Sequence, residues 1–394
     1  MLAGPFGLVR QAITPCVSLA LAATWLALPA AAQPATPAAA KPLRTEVLAS
    51  DLEHPWALAF LPGGRFLVTE RPGRLRVLSA EGKAGPPVEG VPAVVASGQG
   101  GLLDVLLDHD FAANRTLYLC YSEPENASSL RNSTALAKAR LSADSTRLEA
   151  VQIIFSQQPK FASDLHFGCR ISERHVGGQP DGTLFLTLGD RYSRAADAQK
   201  LDNHHGKVVR IGKDGSVPKD NPFAAQKGAL PEIWSYGHRN MQGAARAPDG
   251  STWTHEHGPQ GGDEINLPQA GRNYGWPVIT FGEQYGGGKI GAGITEKAGL
   301  EPPLHQWTPS IAPSGMAFVT SARYPAAWQG NLLVGSLKFR YLARLELQGG
   351  KVQREHKLLA DVNERIRDVR QGPDGFLYVV TDSARGRLIR LLPP

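Results

Sequence analysis

The 394-residue sequence predicts an all-β fold, a single six-bladed β-propeller of four-stranded antiparallel blades. Three observations carry that prediction. The composition, with 43 Gly, 30 Pro and 42% hydrophobic residues, suits many short strands joined by turns rather than a helical bundle. A strand-turn-strand phrase returns about six times, at intervals of roughly 45 to 80 residues, which marks a radial repeat of four-stranded units. Finally, residues 43–394 contain no linker that would divide them into two β-sandwich domains, the competing architecture.

Taken in order, the chain opens on a predicted secretory signal over residues 1–32. Arg10 supplies the positive start, Val17 to Leu28 a short apolar core, and Ala30-Ala31-Ala32 a cleavage site before Gln33. The core is too short to span a bilayer. Residues 33–42 read as a disordered Ala/Pro-rich leader, and no later run is apolar enough to span. The expectation is an exported protein, periplasmic or secreted, without a membrane span. Net charge is +6, but no Lys/Arg run is interleaved with aromatics, so a nucleic-acid partner is not expected. Beyond Cys16 in the signal, Cys120 and Cys169 remain. An oxidising compartment permits a bridge between them, and spacing alone admits two buried thiols equally well.

The propeller follows. The run Leu43 to Leu48 is placed to close the ring by pairing with the last blade, which holds Phe376 to Leu391, so that the sheet edges are protected. Trp56 to Phe60, a turn at Pro62-Gly63-Gly64, Arg65 to Thr69, a turn at Pro72-Gly73 and Arg74 to Leu78 make the first unit. Pro-Asp-Gly then recurs at 180–182, 248–250 and 373–375, each before a strand, because Pro presets φ and Gly accepts positive φ in a tight turn. Less regular versions lie at Asn114 to Cys120 and Trp328 to Val334. The unequal spacing predicts long loops in blades two to five, where function usually resides.

The most unusual chemistry falls between Glu232 and Trp276. Arg239-Asn240, the cluster His255-Glu256-His257, the turn Gly258-Pro259 and Asp263-Glu264 crowd into one loop-rich stretch, read as one wall of a cofactor pocket. His238 and His257 suggest a transition metal, but neither an HExxH pattern nor cysteine partners accompany them.

These phrases, with Gly98-Gln99-Gly100-Gly101, His166-Phe167-Gly168, Leu188-Gly189-Asp190, Asn273-Tyr274-Gly275-Trp276-Pro277, Ser336-Leu337-Lys338 and Arg365-Ile366-Arg367-Asp368-Val369, occur in one order along the chain. In that order the chain resembles the soluble pyrroloquinoline quinone (PQQ)-dependent sugar dehydrogenases, in particular the aldose sugar dehydrogenase branch, over nearly all of residues 43–394. The resemblance implies oxidation of the C1 hydroxyl of aldoses to lactones, with PQQ and Ca²⁺ as cofactors. Electrons would pass to an external acceptor, since the chain has no CxxCH haem motif.

Site roles carry over position by position. PQQ is a planar tricyclic tri-acid, and Lys338, Arg365 and Arg367, with Ser336, Leu337 and Ile366 beside them, match its acid-binding positions. Arg365 and Arg367, at i and i+2, would share a strand face, though alone they read more readily as solvated charges. His166 matches the general base, Asp190 the carboxylate that orients it, and Arg239 with Asn240 the groups that stabilise charge growing on the quinone oxygen. Gln99 and Tyr285 complete the cofactor contacts. The carbonyls of Gly258 and Pro259 match the ligands of a catalytic Ca²⁺, and Glu264 with the Tyr274 carbonyl those of a second Ca²⁺. Departures from the glucose-selective branch lie in Arg191 to Gln199, at Leu165 and after Trp276, and imply a more open substrate pocket. Dimer contacts do not carry over, so monomer and homodimer both remain open. Two other function classes compete: a calcium-dependent lactonase-type hydrolase, which needs a carboxylate-rich centre, and a non-catalytic glycan-binding propeller, which has no use for His166.

Overall fold

The computed structural model describes residues 43–394. The expected signal (1–32) and leader (33–42) lie outside the described residues. Six antiparallel sheets of four strands each form the blades, spanning residues 55–87, 102–156, 168–236, 241–307, 313–358 and 366–392. The innermost strands are Pro55–Phe60, Leu102–Leu107, Gly168–Val176, Met241–Arg246, Pro313–Phe318 and Ile366–Gln371. Each lies against the next, and the last returns to the first, so the ring is closed. The sixth blade is completed by the N-terminal strand Arg44–Leu52, which pairs antiparallel with Gly386–Leu392. Closure by the first strand of the chain is therefore as expected, and it leaves no open seam between first and last blades.

Burial explains the strand sequences. Middle strands such as Leu332–Ser336 and Leu377–Thr381 are buried along their whole length, because neighbouring blades cover both faces. Outer strands such as Lys351–Leu358 are mostly exposed or half-buried and are correspondingly polar. The predicted turns at Pro62–Gly64, Pro72-Gly73, Pro248–Gly250 and Pro373–Gly375 each link two strands, with Gly63, Gly73, Gly250 and Gly375 all at positive φ. Pro180–Gly182 is a correction. The chain reverses earlier, at Gly177-Gly178 (φ 59° and 82°), and the Pro-Asp-Gly phrase lies inside the strand Gln179–Leu188. Two consecutive glycines take the reversal because both positions need the left-handed region.

The axis is filled by charge rather than by hydrocarbon. Asp104, Arg170 and Asp368 are each no more than 1% exposed. Arg170 reaches Asp104 at 3.0 Å and Asp368 at 3.3 Å, while Arg370 reaches the same two carboxylates, each at 2.9 Å. Two cations and two anions thus tie blades two, three and six together with their charges balanced. Trp56 caps this network, with the Arg170 guanidinium 4.3 Å from its ring. Cys120 and Cys169 form a disulfide, joining the second strand of blade two to the first of blade three.

Candidate active site

In an antiparallel blade, the start of the innermost strand and the loop after the second strand fall at the same end. Six blades bring twelve such segments to one face. They enclose a cavity of about 1110 Å³, with Trp56 and Leu103 among its lining residues. Arg71, Gln99, Phe167, Gln242, Tyr285, Leu337, Lys338, Arg365 and Arg367 also line it.

The cationic side is built from blades five and six. Ser336 accepts a hydrogen bond from the Phe339 amide and donates to the Ile311 carbonyl, a turn that carries Leu337 and Lys338 to the cavity. Arg365, just ahead of the strand Ile366–Gln371, and Arg367 within it both reach the cavity and both donate to Asp382 Oδ2, at 3.0 and 2.9 Å. His54 Nδ1 holds the other oxygen of Asp382 at 3.1 Å. Burial alone would raise the Asp382 carboxyl, but Arg367, His54 and Arg365 overcome it and hold it far below the usual carboxylate range. Asp382 is the one acid among the described lining residues, against Arg71, Lys338, Arg340, Arg365 and Arg367. The excess positive charge suits a ligand with several carboxylates. So does the Arg367 Nε, which is buried without a partner. Ile366 differs from its neighbours: its side chain is fully buried in an apolar cluster, so it separates the two arginines without entering the cavity.

The base side comes from blades two, three and four. His166 Nδ1 lies 2.6 Å from Asp190 Oδ1. A carboxylate only accepts, so Nδ1 carries the proton and Nε2 keeps its lone pair. Nε2 has no partner among the described residues and is not sealed from solvent. Asp190 is fully buried and held three further ways: Trp276 Nε1 donates to its Oδ2 at 2.8 Å, the Tyr192 amide donates to its Oδ1, and its own amide donates to the Arg239 carbonyl. Gly189 allows the approach, since a Cβ there would lie 2.1 Å from the His166 carbonyl oxygen. Gln99 Oε1 accepts from the His166 amide at 2.9 Å, which ties the base loop to the cavity wall. Burial holds the His166 imidazole below the ordinary histidine range; Asp190 pulls it up, while Arg239 and Arg191 push it down.

Arg239 and the metal-matched positions form the third side. Arg239 Nη1 donates to the His257 and Gly258 carbonyls at 2.9 and 3.0 Å, its Nε is buried without a partner, and its guanidinium lies 5.2 Å from the Trp276 ring. The Gly258 carbonyl, matched to a calcium ligand, is thus engaged by Arg239 through one of its lone pairs. Asn240 is buried; its Oδ1 accepts from the Gly168 amide and Gln242, and its Nδ2 has no partner. Glu264 packs beside Glu256, with Asn266 Nδ2 between them at 3.4 and 3.1 Å. Burial, reinforced by Glu256, raises the Glu264 carboxyl well above the usual range. Glu256 also accepts from the Arg239 amide at 2.6 Å and has His238 Nδ1 3.6 Å away, whereas Glu264 has only Asn266 among the described residues; two adjacent buried carboxylates fit a hard divalent cation in donor type. Tyr274 stacks on His238 at 4.6 Å close by, and Tyr285, 62% exposed, stands on the rim before Gly286.

The sequence-matched residues Gln99, Leu337, Lys338, Arg365, Arg367, Tyr285 and Pro259 therefore line one cavity, with His166, Asp190, Arg239 and Asn240 in the layer behind it. Asp382, which orients both arginines, carries no sequence signal of its own, and Trp276, whose indole joins Asp190 to Arg239, stands in the sequence only within the Asn273 to Pro277 phrase.

A family model described as Glucose / Sorbosone dehydrogenase matches residues 52–390. The chain belongs to that family. It is 45% identical to aldose sugar dehydrogenase YliI of Escherichia coli (strain K12), over 90% of this chain and 94% of the relative. It is 29% identical to quinoprotein glucose dehydrogenase B of Acinetobacter calcoaceticus, over 86% and 85%. Among solved structures, the apo-form of the soluble aldose sugar dehydrogenase from Escherichia coli superposes with a TM-score of 0.84 at 44% identity, covering 89% of this chain and 100% of that one. The PQQ-bound aldose sugar dehydrogenase from Streptomyces coelicolor does so at 0.70 and 27%, covering 89% and 98%. Among the described residues of this family member, no helix is long and apolar enough to cross a membrane.

Proposed function

We propose that this protein is a PQQ- and Ca²⁺-dependent aldose sugar dehydrogenase. It oxidises the C1 hydroxyl of a sugar to the lactone and delivers the electrons to an external acceptor in the periplasm or outside the cell. The observation that carries the reading is the convergence of Lys338, Arg365 and Arg367 on one cavity, beside a histidine whose tautomer is set by a buried carboxylate.

The chain's own residues divide the work. Lys338, Arg365 and Arg367 hold the acid groups of the cofactor, with Asp382 keeping the two guanidinium forks aimed. His166 Nε2 takes the proton of the C1 hydroxyl. As hydride leaves C1, the C1–O bond becomes the lactone carbonyl. Asp190 stabilises the imidazolium that forms, and Trp276 keeps Asp190 in place. Arg239 presents positive charge where negative charge develops. When bound, PQQ supplies the two-electron acceptor for the hydride, and Ca²⁺, held by the Gly258 and Pro259 carbonyls, the Lewis acid that polarises it. Glu264 and the Tyr274 carbonyl hold a second, structural Ca²⁺. A lactonase-type reading needs a carboxylate-rich centre, and among the described residues lining the cavity the one acid is Asp382, already committed to two arginines.

Reconstitution tests the reading. Apo-protein supplied with PQQ and Ca²⁺ is expected to reduce an artificial dye when an aldose is added, and to lose that activity when Ca²⁺ is chelated. No turnover across a broad panel of aldoses and alcohols would sink the proposal.

A further inference from the structure

The segment after Asp190 departs from the matched phrases, and it places an exposed aromatic beside the base. Tyr192 is 47% exposed, whereas His166 is 5% exposed. Their ring centroids lie 5.2 Å apart with the planes at 86°, an edge-to-face contact. Arg191 and Tyr192 both adopt left-handed backbone, with φ of 59° and 64°. Side-chain-bearing residues in that region are strained and persist only where their surroundings enforce them.

Here the enforcing contacts are visible on both sides. The Tyr192 amide donates to Asp190 Oδ1 at 2.9 Å. The Arg191 guanidinium lies 3.7 Å from the Phe167 ring centroid, and its Nη2 donates to Asn132 Oδ1 at 2.6 Å. Further along, Arg194 sits 5.5 Å over the Phe161 ring and pairs with Asp197 at 2.6 Å. The loop is pinned at both ends, and the ring between them is held at the base with much of its surface bare.

A pyranose presents hydroxyls at its edge and a C–H surface on its face. The exposed Tyr192 ring, 5.2 Å from the His166 ring, is the aromatic surface on hand for a sugar whose hydroxyl meets His166 Nε2. We propose that Tyr192 is the substrate platform: its ring packs the C–H face of a cyclic aldose whose C1 hydroxyl meets His166, and it thereby selects ring-closed aldoses over open-chain polyols. The inference rests on the dehydrogenase reading above and assigns specificity within it.

The test compares wild type, Tyr192→Ala and Tyr192→Phe, loaded with PQQ and Ca²⁺. Glucose serves as the cyclic aldose, and sorbitol, measured as substrate or as competitive inhibitor, as the polyol. The alanine variant is expected to raise the glucose KM roughly 3- to 10-fold, the size of one aromatic contact, with kcat held within about twofold. The phenylalanine variant restores the KM, the sorbitol constant does not move, and PQQ affinity read by tryptophan quenching stays at the wild-type value. An unchanged glucose KM overturns the inference, as does an equal loss for glucose and sorbitol. A fall in kcat with a displaced acid limb at constant KM also overturns it, since that marks a ring that merely supports His166. Should alanine misfold, Tyr192→Gly, which relaxes the left-handed backbone, carries the same comparison. If wild type lacks turnover, the dehydrogenase reading fails; calorimetric binding of glucose to wild type and Tyr192→Ala then decides the platform separately, equal affinities overturning it.

Discussion

His166 is useful as a base only while its Nε2 lone pair is free, and two features keep it so. Asp190 fixes the proton on Nδ1, and burial depresses the imidazole below the ordinary histidine range. The sign follows directly. A lowered value leaves the neutral form in place at neutral and mildly acidic pH, so kcat/KM should stay flat through about pH 6.5, where an ordinary histidine is half charged, and fall only below it. Asp190→Asn removes a group that raises the His166 value. The acid limb should therefore move lower still, while kcat drops by about 10²- to 10⁴-fold because the tautomer is no longer enforced. A pH–rate profile of both proteins checks this; an acid limb that rises in the variant contradicts it. At this scale, the residue types and the matched phrases made His166, Asp190 and the arginines legible. Asp382 and Trp276 were not, because each acts only through a side chain that the fold brings to it: Asp382 through Arg365 and Arg367, and Trp276 through Asp190.

Turns and strands were easier to read. Where Pro-Asp-Gly joins two strand-like runs, local chemistry decides the conformation, and two of the three copies behave as expected. The third yields to Gly177-Gly178, two residues earlier, because the strand pairing of blade three extends past Pro180. The pairing of Cys120 with Cys169 could not be read locally at all: it depends on blades two and three standing side by side, which brings the two Cα atoms to 5.7 Å. Because the bridge joins different blades and closes a loop with a sequence separation of 49, its removal should loosen the unfolded chain. Cys120→Ser with Cys169→Ser is expected to lower unfolding stability by about 2–4 kcal/mol, read as a lower denaturant midpoint under oxidising conditions. Dithiothreitol should lower the midpoint of the wild type but not that of the double variant; equal midpoints for the two unreduced proteins would contradict the structural role.

At the scale of the whole molecule, the closed ring does two things. It buries the middle strands on both faces, which gives a rigid frame, and it gathers the loops at one end of every blade into a single cavity. The number of blades was legible from the recurrence of one phrase. The cavity's character was legible only as scattered Lys and Arg residues, and it becomes a site because closure brings the start of blade six beside the loops of blade five and the loop after the second strand of blade one, which carries Arg71. The axial network of Asp104, Arg170, Asp368 and Arg370 supports the floor under Trp56, and Trp56 in turn lies 5.8 Å from the Arg367 guanidinium. Frame and cationic cup are therefore continuous.

The most direct measurement is a titration of apo-protein with PQQ in the presence of Ca²⁺, followed by quenching of tryptophan fluorescence, for wild type, Arg367→Ala and Arg272→Ala. Arg272 lies outside the cavity, paired with Glu301 at 3.3 Å, and serves as the control. Saturable one-to-one binding by wild type and by Arg272→Ala, with at least about tenfold weaker binding by Arg367→Ala, is the predicted result. Equal affinities for the two variants, or no saturable binding by wild type, would contradict a cavity built to seat a tri-acidic quinone.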